Sequence, residues 1–211
     1  TGVDQVVHLK ALKPEVVVTS MRGIHGTQMS EMAFLHMLVL SRGYRQLSRA
    51  QDRGDWDLVI QHRLAEKTAV IVGVGLIAES LAPRCKAFDM NVIGVTSAPE
   101  RKTAGFDRMM HRRDLEQAAA LADFLIVLAP HTRENEKLIS ARVIAAMKPT
   151  AYVINVARGP VVDEDALLAA VREKRIGGAG LDVFVEEPLP KDHPFWKEPN
   201  IVVTPRRSGS C

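Results

Sequence analysis

KTAVIVGVGLIAE, residues Lys67 to Glu79, decides how this chain folds. An apolar run, Ala69 to Val72, leads straight into Gly73, Gly75 and Ala78 at GxGxxA spacing. In a passage from strand to helix, the first glycine permits a tight turn and the second lets the backbone approach a pyrophosphate. The small third residue lets the helix lie close on the sheet. The free amide groups that open the helix, at Leu76 and Ile77, then face the phosphates. Glycine turns that bind nothing are also common, so the reading leans on the strand before this turn and the helix after it.

Outward from the turn, short apolar runs alternate with helical patterns: Val16 to Val18, Ala69 to Val72, Val92 to Val95, Phe124 to Leu128, Tyr152 to Ile154, Ala179 to Leu181 and Ile201 to Val203. Continuous Val, Ile and Leu runs are those of strands buried on both faces, and helices between them imply parallel crossovers. The fold class is therefore α/β, a doubly wound parallel sheet. The segment Glu164 to Lys174 carries its own helix signals. Asp163 can cap it, Glu164 and Asp165 suit its positive end, Arg172, Lys174 and Arg175 its negative end, and Gly177 with Gly178 stops it. Upstream, Gly26 to Ala50 reads as one long helix, with Met29, Met32, Ala33, His36, Met37, Leu40 and Tyr44 near helical spacing. It suits a core helix or one that packs between domains or subunits.

Composition narrows the function classes. With 211 residues, 46% hydrophobic, the chain can bury a substantial core. The balance of 28 Lys and Arg against 25 Asp and Glu gives +3, without a basic run long enough for a nucleic-acid arm. The longest apolar stretch, Met32 to Leu40, is too short to cross a bilayer, and no secretory leader pattern opens the chain, so a cytoplasmic protein without a membrane partner is expected. Cys85 and Cys211 make neither a disulfide framework nor metal spacing; no metal is expected, and Cys85 reads as a packing residue.

Three later motifs, NVARGPVVDEDAL (Asn155 to Leu167), GAGLDVFVEEPLP (Gly178 to Pro190) and HPFW with PNIVVTP (His193 to Pro205), resemble in order and spacing the D-isomer-specific 2-hydroxyacid dehydrogenases. The glycine turn, the opening TGVD and the MSEMAF segment are similar to the same family, so the resemblance covers nearly the whole chain. It implies a Rossmann-type cofactor domain over residues 21–205, including an interdomain or dimer helix. Residues 1–20 are then a remnant of a substrate domain, and residues 206–211 a truncated return to it. The implied activity is hydride transfer between a nicotinamide cofactor and a small 2-oxo or 2-hydroxy acid, as in glyoxylate or hydroxypyruvate reductases, by a homodimer.

Such chemistry needs a cation for the carboxylate, a hydride donor against the carbonyl carbon and an acid for the developing alkoxide. Arg158 meets the first need, at the carboxyl end of a buried strand with a guanidinium able to grip a carboxylate in bidentate fashion. Pairing with Asp163 or a helix end is the alternative for that side chain. The resemblance makes Glu187 the partner of the acid-base histidine, and Asp182 the residue that hydrogen-bonds the nicotinamide carboxamide. It sets Pro130 and Thr132 along the adenosine and ribose side, adds Val156 and Ala157 to the cofactor lining, and gives Gly2 and Val3 the substrate carboxylate. Where the family reads TPH, however, this chain reads Thr204, Pro205, Arg206, Arg207. Arginine stays charged and is a very poor proton donor, so activity is expected to be severely reduced or lost. His25 is the best substitute among the remaining histidines, although a structural role suits it better. His131 goes with the adenosine side, His193 with a surface loop, and His8, His36, His62 and His111 have no chemical neighbours in sequence.

NAD-preferring folds carry an acidic residue about 20 positions past the glycines. Thr96 and Ser97 stand there instead, with Arg101 and Lys102 close behind, which favours NADP over NAD. The alternative is that those two cations are solvated loop charges. The chain starts with Thr1 and stops six residues after Pro205. A fragment, or a frameshift that made both the arginine and the tail RRSGSC, is therefore expected. A non-catalytic NADP(H)-binding protein and a dimeric interaction module remain as alternatives.

Overall fold

The computed structural model describes residues 15–17, 19, 23–100 and 103–205. In chain order the elements are α1 (Gly26–Ser41), α2 (Tyr44–Arg53), β1 (Thr68–Val72), α3 (Leu76–Ala87), β2 (Asn91–Thr96), β3 (Arg108–His111) and α4 (Leu115–Leu121). There follow β4 (Phe124–Val127), α5 (Ala141–Ala146), β5 (Tyr152–Asn155), α6 (Glu164–Arg172), β6 (Gly178–Leu181) and β7 (Ile201–Val203). The strands form one sheet in the order β3-β2-β1-β4-β5-β6-β7, and every pairing is parallel. The doubly wound α/β fold is as the sequence led us to expect, and the order reverses between β1 and β4.

The pleat explains why these runs carry no polar alternation. Along β1, Val70 and Val72 pack on the face covered by α4, α5 and α6, whereas Ala69 and Ile71 pack under α1 and α3. Leu125 and Val127 divide from Phe124 and Ile126 in the same way along β4. In β1 and β4 both faces exclude water, so apolar residues follow one another without alternation. Cys85 is fully buried in the α3 layer, as expected of a packing residue.

Three expectations are corrected. The single helix from Gly26 to Ala50 is two helices, broken where Gly43 takes φ +61° and a β-carbon would stand 2.5 Å from Val59 Cγ1. The break turns α2 onto the segment entering β7, where Arg45 donates to the carbonyls of Glu198 (2.9 Å), Pro199 (3.2 Å) and Ile201. Val16 and Val17 form no strand and are exposed, and Val18 lies outside the described residues. Strand β3 was not foreseen. Its RMMH sequence lacks β-branched residues, and it forms by adding to the open edge of β2. Helix α6 keeps its expected cap, Asp163 Oδ1 accepting from the Ala166 amide at 3.2 Å, but ends at Arg172 as Lys174 turns to φ +55°.

Candidate functional site

Because all the strands are parallel, their carboxyl ends lie along one edge, and the reversal between β1 and β4 opens a crevice there. Gly73 follows β1 with φ +98°, a conformation that side chains resist. A β-carbon on it would also strike the backbone of Ala129, after β4. Gly75, the residue before α3, is different. It is exposed, and among the described residues, its two chain neighbours aside, no atom lies within 4 Å of where its β-carbon would stand. The backbone at Gly75 is thus bare toward the crevice, which is what close approach of a pyrophosphate needs, while Ala78 is fully buried against the sheet. A cleft of about 400 Å³ fronts this turn, lined by Gly73, Gly75, Leu76, Ile77, Leu128 and Pro130. His25 and Gly26, at the start of α1, close its other side.

At the end of β2, Thr96 is half-buried and its hydroxyl accepts from the Ala98 amide at 3.3 Å, with Ser97 exposed beside it. No carboxylate occupies these two positions. After β4, Pro130 is held by Asn135, whose Nδ2 donates to the Pro130 carbonyl at 2.7 Å; Thr132 is exposed on the same loop. Asn135 was not singled out in the sequence.

The turn after β5 carries Val156, Ala157 and Arg158. Buried Asn155 fixes it from both sides, its Oδ1 accepting from the Ala157 amide (3.1 Å) and its Nδ2 donating to the Arg158 carbonyl (3.0 Å). The Arg158 guanidinium donates to the Ala157 carbonyl at 2.7 Å. Its next neighbour, Gly159, lies so near Phe184 that a β-carbon would stand 1.9 Å from that residue's carbonyl carbon. This contact presses the Arg158 turn against the loop after β6. There Glu187 Oε1 accepts from the Phe184 amide at 3.1 Å, and Glu164 Oε1 from the Val185 amide at 2.9 Å. Glu164 is held above the usual carboxylate range, first by burial and also by Asp165 and Glu187.

Asp182 follows β6 and is fully buried. Its Oδ1 accepts from the Thr204 hydroxyl at 2.5 Å, and the same hydroxyl lies 3.3 Å from His36 Nε2. His36, which has no chemical neighbours in sequence, thus meets one in the fold: Thr204, 168 residues on and just past β7. The fold thus gathers Gly73, Gly75, Leu76, Ile77 and Pro130 around one cleft, and carries Arg158 and Asp182 just past adjoining strands, with Glu187 in the loop after β6. Gly2, Val3, Arg101 and Arg206 lie outside the described residues. Among the described residues no group of three or more His, Cys, Asp or Glu is arranged to hold a metal ion. No helix among them is long and apolar enough to cross a membrane.

Residues 34–208 match the family model for the D-isomer specific 2-hydroxyacid dehydrogenase NAD-binding domain. A glyoxylate/hydroxypyruvate reductase A of Serratia proteamaculans is 35% identical over 181 residues, covering 84% of this chain and 56% of that protein. A D-isomer specific 2-hydroxyacid dehydrogenase family protein from Aeromonas salmonicida superposes with TM-score 0.91 at 37% identity, over 98% of this chain and 66% of its own. A family member from Xanthobacter autotrophicus, solved in complex with NADPH and MES, gives TM-score 0.87 at 33% identity, over 99% of this chain and 86% of its own. The chain spans roughly half the length of the curated relatives it matches, from 40% to 62% of the first three.

Proposed function

This chain belongs to the D-isomer-specific 2-hydroxyacid dehydrogenase family and carries its NAD-binding domain; from that premise we propose that it is the cofactor-binding part of an enzyme that interconverts a small 2-oxo acid and its D-2-hydroxy acid. The observation that carries the reading is the bare backbone at Gly75, facing a cleft at the point where the strand order reverses. A bound nicotinamide cofactor supplies the hydride. Gly73 and Gly75 with the amides of Leu76 and Ile77 hold its pyrophosphate, Thr96 and Ser97 meet the adenosine ribose, and Pro130 and Thr132 line that side. Val156, Ala157 and Asp182 serve the nicotinamide half. The absence of a carboxylate at Thr96 and Ser97, with Arg101 behind, supports NADP over NAD.

Arg158, with Gly2 and Val3, holds the substrate carboxylate, and Glu187 would orient an acid-base histidine. In the sequence motif Arg206 replaces that histidine, and an arginine cannot exchange a proton at neutral pH, so turnover by this chain is severely reduced. Residues 21–205 form the cofactor domain; residues 1–20 and 206–211 belong to the substrate domain. Trp56, Leu58 and Ile60, alternating along the strandless segment after α2, are 95%, 85% and 82% exposed, an apolar edge that supports a homodimer formed through α1, α2 and this arm.

Calorimetric titration of the 211-residue protein with NADPH and NADH tests the cofactor reading, and glyoxylate reduction by the chain and its Arg206→His variant tests the impairment. Tighter binding of NADPH without turnover is the expected result. Failure to bind either nucleotide overturns the cofactor reading, and turnover at ordinary enzyme rates overturns the impairment.

A further inference from the structure

His36 is an expensive residue for its place. It is fully buried on α1, and among the described residues its Nδ1 has no hydrogen-bond partner. A leucine would fill the same space without leaving a ring nitrogen unpaired. The sheet is shaped around the ring as well: a β-carbon on Gly180, in β6, would lie 2.6 Å from His36 Cγ and Nδ1.

The donor order follows from elementary bookkeeping. The Thr204 hydroxyl gives its single proton to Asp182 Oδ1, 2.5 Å away, a short O–H···O bond. The hydroxyl oxygen is then an acceptor toward His36, 3.3 Å away, which puts the ring proton on Nε2. Burial holds the imidazole neutral, its pKa down to about 4. The neutral ring is suited to hold a hydrogen bond rather than to carry charge.

We propose that His36 is a positioning residue: its Nε2 proton fixes the Thr204 hydroxyl, which in turn fixes the Asp182 carboxylate for the carboxamide of the nicotinamide. The relay runs from α1 through the residue after β7 to the residue after β6, and it ties the interdomain helix to the reacting end of the cofactor cleft. It rests on the reading of Asp182 as the carboxamide partner. The hydroxyl has one proton and two acceptors in reach, Asp182 Oδ1 and, at 3.9 Å, Met32 Sδ; with His36 donating to its oxygen, the rotamer that points the proton at Asp182 is favoured.

The test is calorimetry of the 211-residue chain and its variants with two ligands, NADPH and 2′-phospho-ADP-ribose, which lacks the nicotinamide. His36→Leu and Thr204→Val are expected to weaken NADPH about tenfold and to leave 2′-phospho-ADP-ribose within about twofold. His36→Gln, whose side-chain amide can donate to Thr204, is expected to keep most of the NADPH affinity. Thr204→Val stays close to the native shape and serves if the leucine variant does not fold. Selective loss in Asp182→Asn, with unchanged binding in the His36 and Thr204 variants, overturns the relay and leaves the Asp182 reading standing. Equal loss of both ligands in every variant makes the role merely structural and also overturns it. NADPH binding that is indifferent to Asp182→Asn removes the Asp182 reading and the relay together.

Discussion

Gly73 and Ala129 are packed backbone to backbone: a β-carbon on the first would stand 2.6 Å from the amide nitrogen of the second. The two glycines of the turn are therefore needed for different reasons, and substitution separates them. Gly73→Ala meets both a left-handed φ of +98° and the end of β4. It is expected to cost about 3 kcal/mol of stability, read from urea denaturation. Gly75→Ala meets no atom of the described residues beyond its chain neighbours and has an ordinary φ of −127°. Stability should change by no more than about 1 kcal/mol, the scale of a helix-cap substitution, while NADPH affinity falls at least tenfold. Equal destabilisation by the two variants would refute this division.

That division was half visible in the sequence. The spacing of Gly73, Gly75 and Ala78 is local, and so are the Val, Ile and Leu runs of β1, β2, β4, β5, β6 and β7. Each is specified within a few residues by burial on both faces of the sheet. The break at Gly43 was not legible, because a helix tolerates one glycine and only the approach of Val59 decides that it ends there. Strand β3 owes its existence to the edge of β2 rather than to its own residues. In the site, strand ends foretold where Arg158 and Asp182 would stand. Asn155, Asn135 and the link from His36 through Thr204 to Asp182 depend on partners that the fold alone supplies.

Arg45 makes a second prediction. Its guanidinium donates to three carbonyls of the segment that enters β7, at Glu198, Pro199 and Ile201. A planar fork can serve several acceptors at once, whereas an ammonium is a point charge. Arg45→Ala is expected to cost about 2 kcal/mol, the scale of losing hydrogen bonds from a charged donor. Arg45→Lys should recover only part of it. Hydrogen exchange should rise first at the amides of Ile201 to Val203, at the sheet's edge, and an unchanged exchange pattern there would count against the anchoring role.

Cys85 offers a chemical probe of the α3 layer. Burial pushes its thiol up to about 12, against a smaller lowering by a backbone hydrogen bond, so hardly any thiolate forms at pH 8. Native protein treated with iodoacetamide at pH 8 and mapped by peptide mass should show Cys85 unmodified, and addition of 6 M urea should expose it. Modification at Cys85 without denaturant would mean that α3 opens readily from the sheet.

The acid limb of stability should carry the signature of His36. In the unfolded chain its imidazole takes up a proton as the pH drops below the ordinary value of 6.5. In the folded chain burial penalises the charged ring more than nearby Asp182 favours it, and protonation waits until about pH 4. Between those values the unfolded state binds the extra proton. Stability contributed by the neutral ring is thus complete above pH 6.5 and drains away as the pH falls toward 4, by on the order of 3 kcal/mol. His36→Gln removes the titrating group while keeping a donor for Thr204. Urea unfolding at pH 7, 6, 5 and 4.5 should therefore show wild type losing stability more steeply than the variant. Parallel losses in the two proteins would show that the ring is already protonated, or reached by water, in the native state.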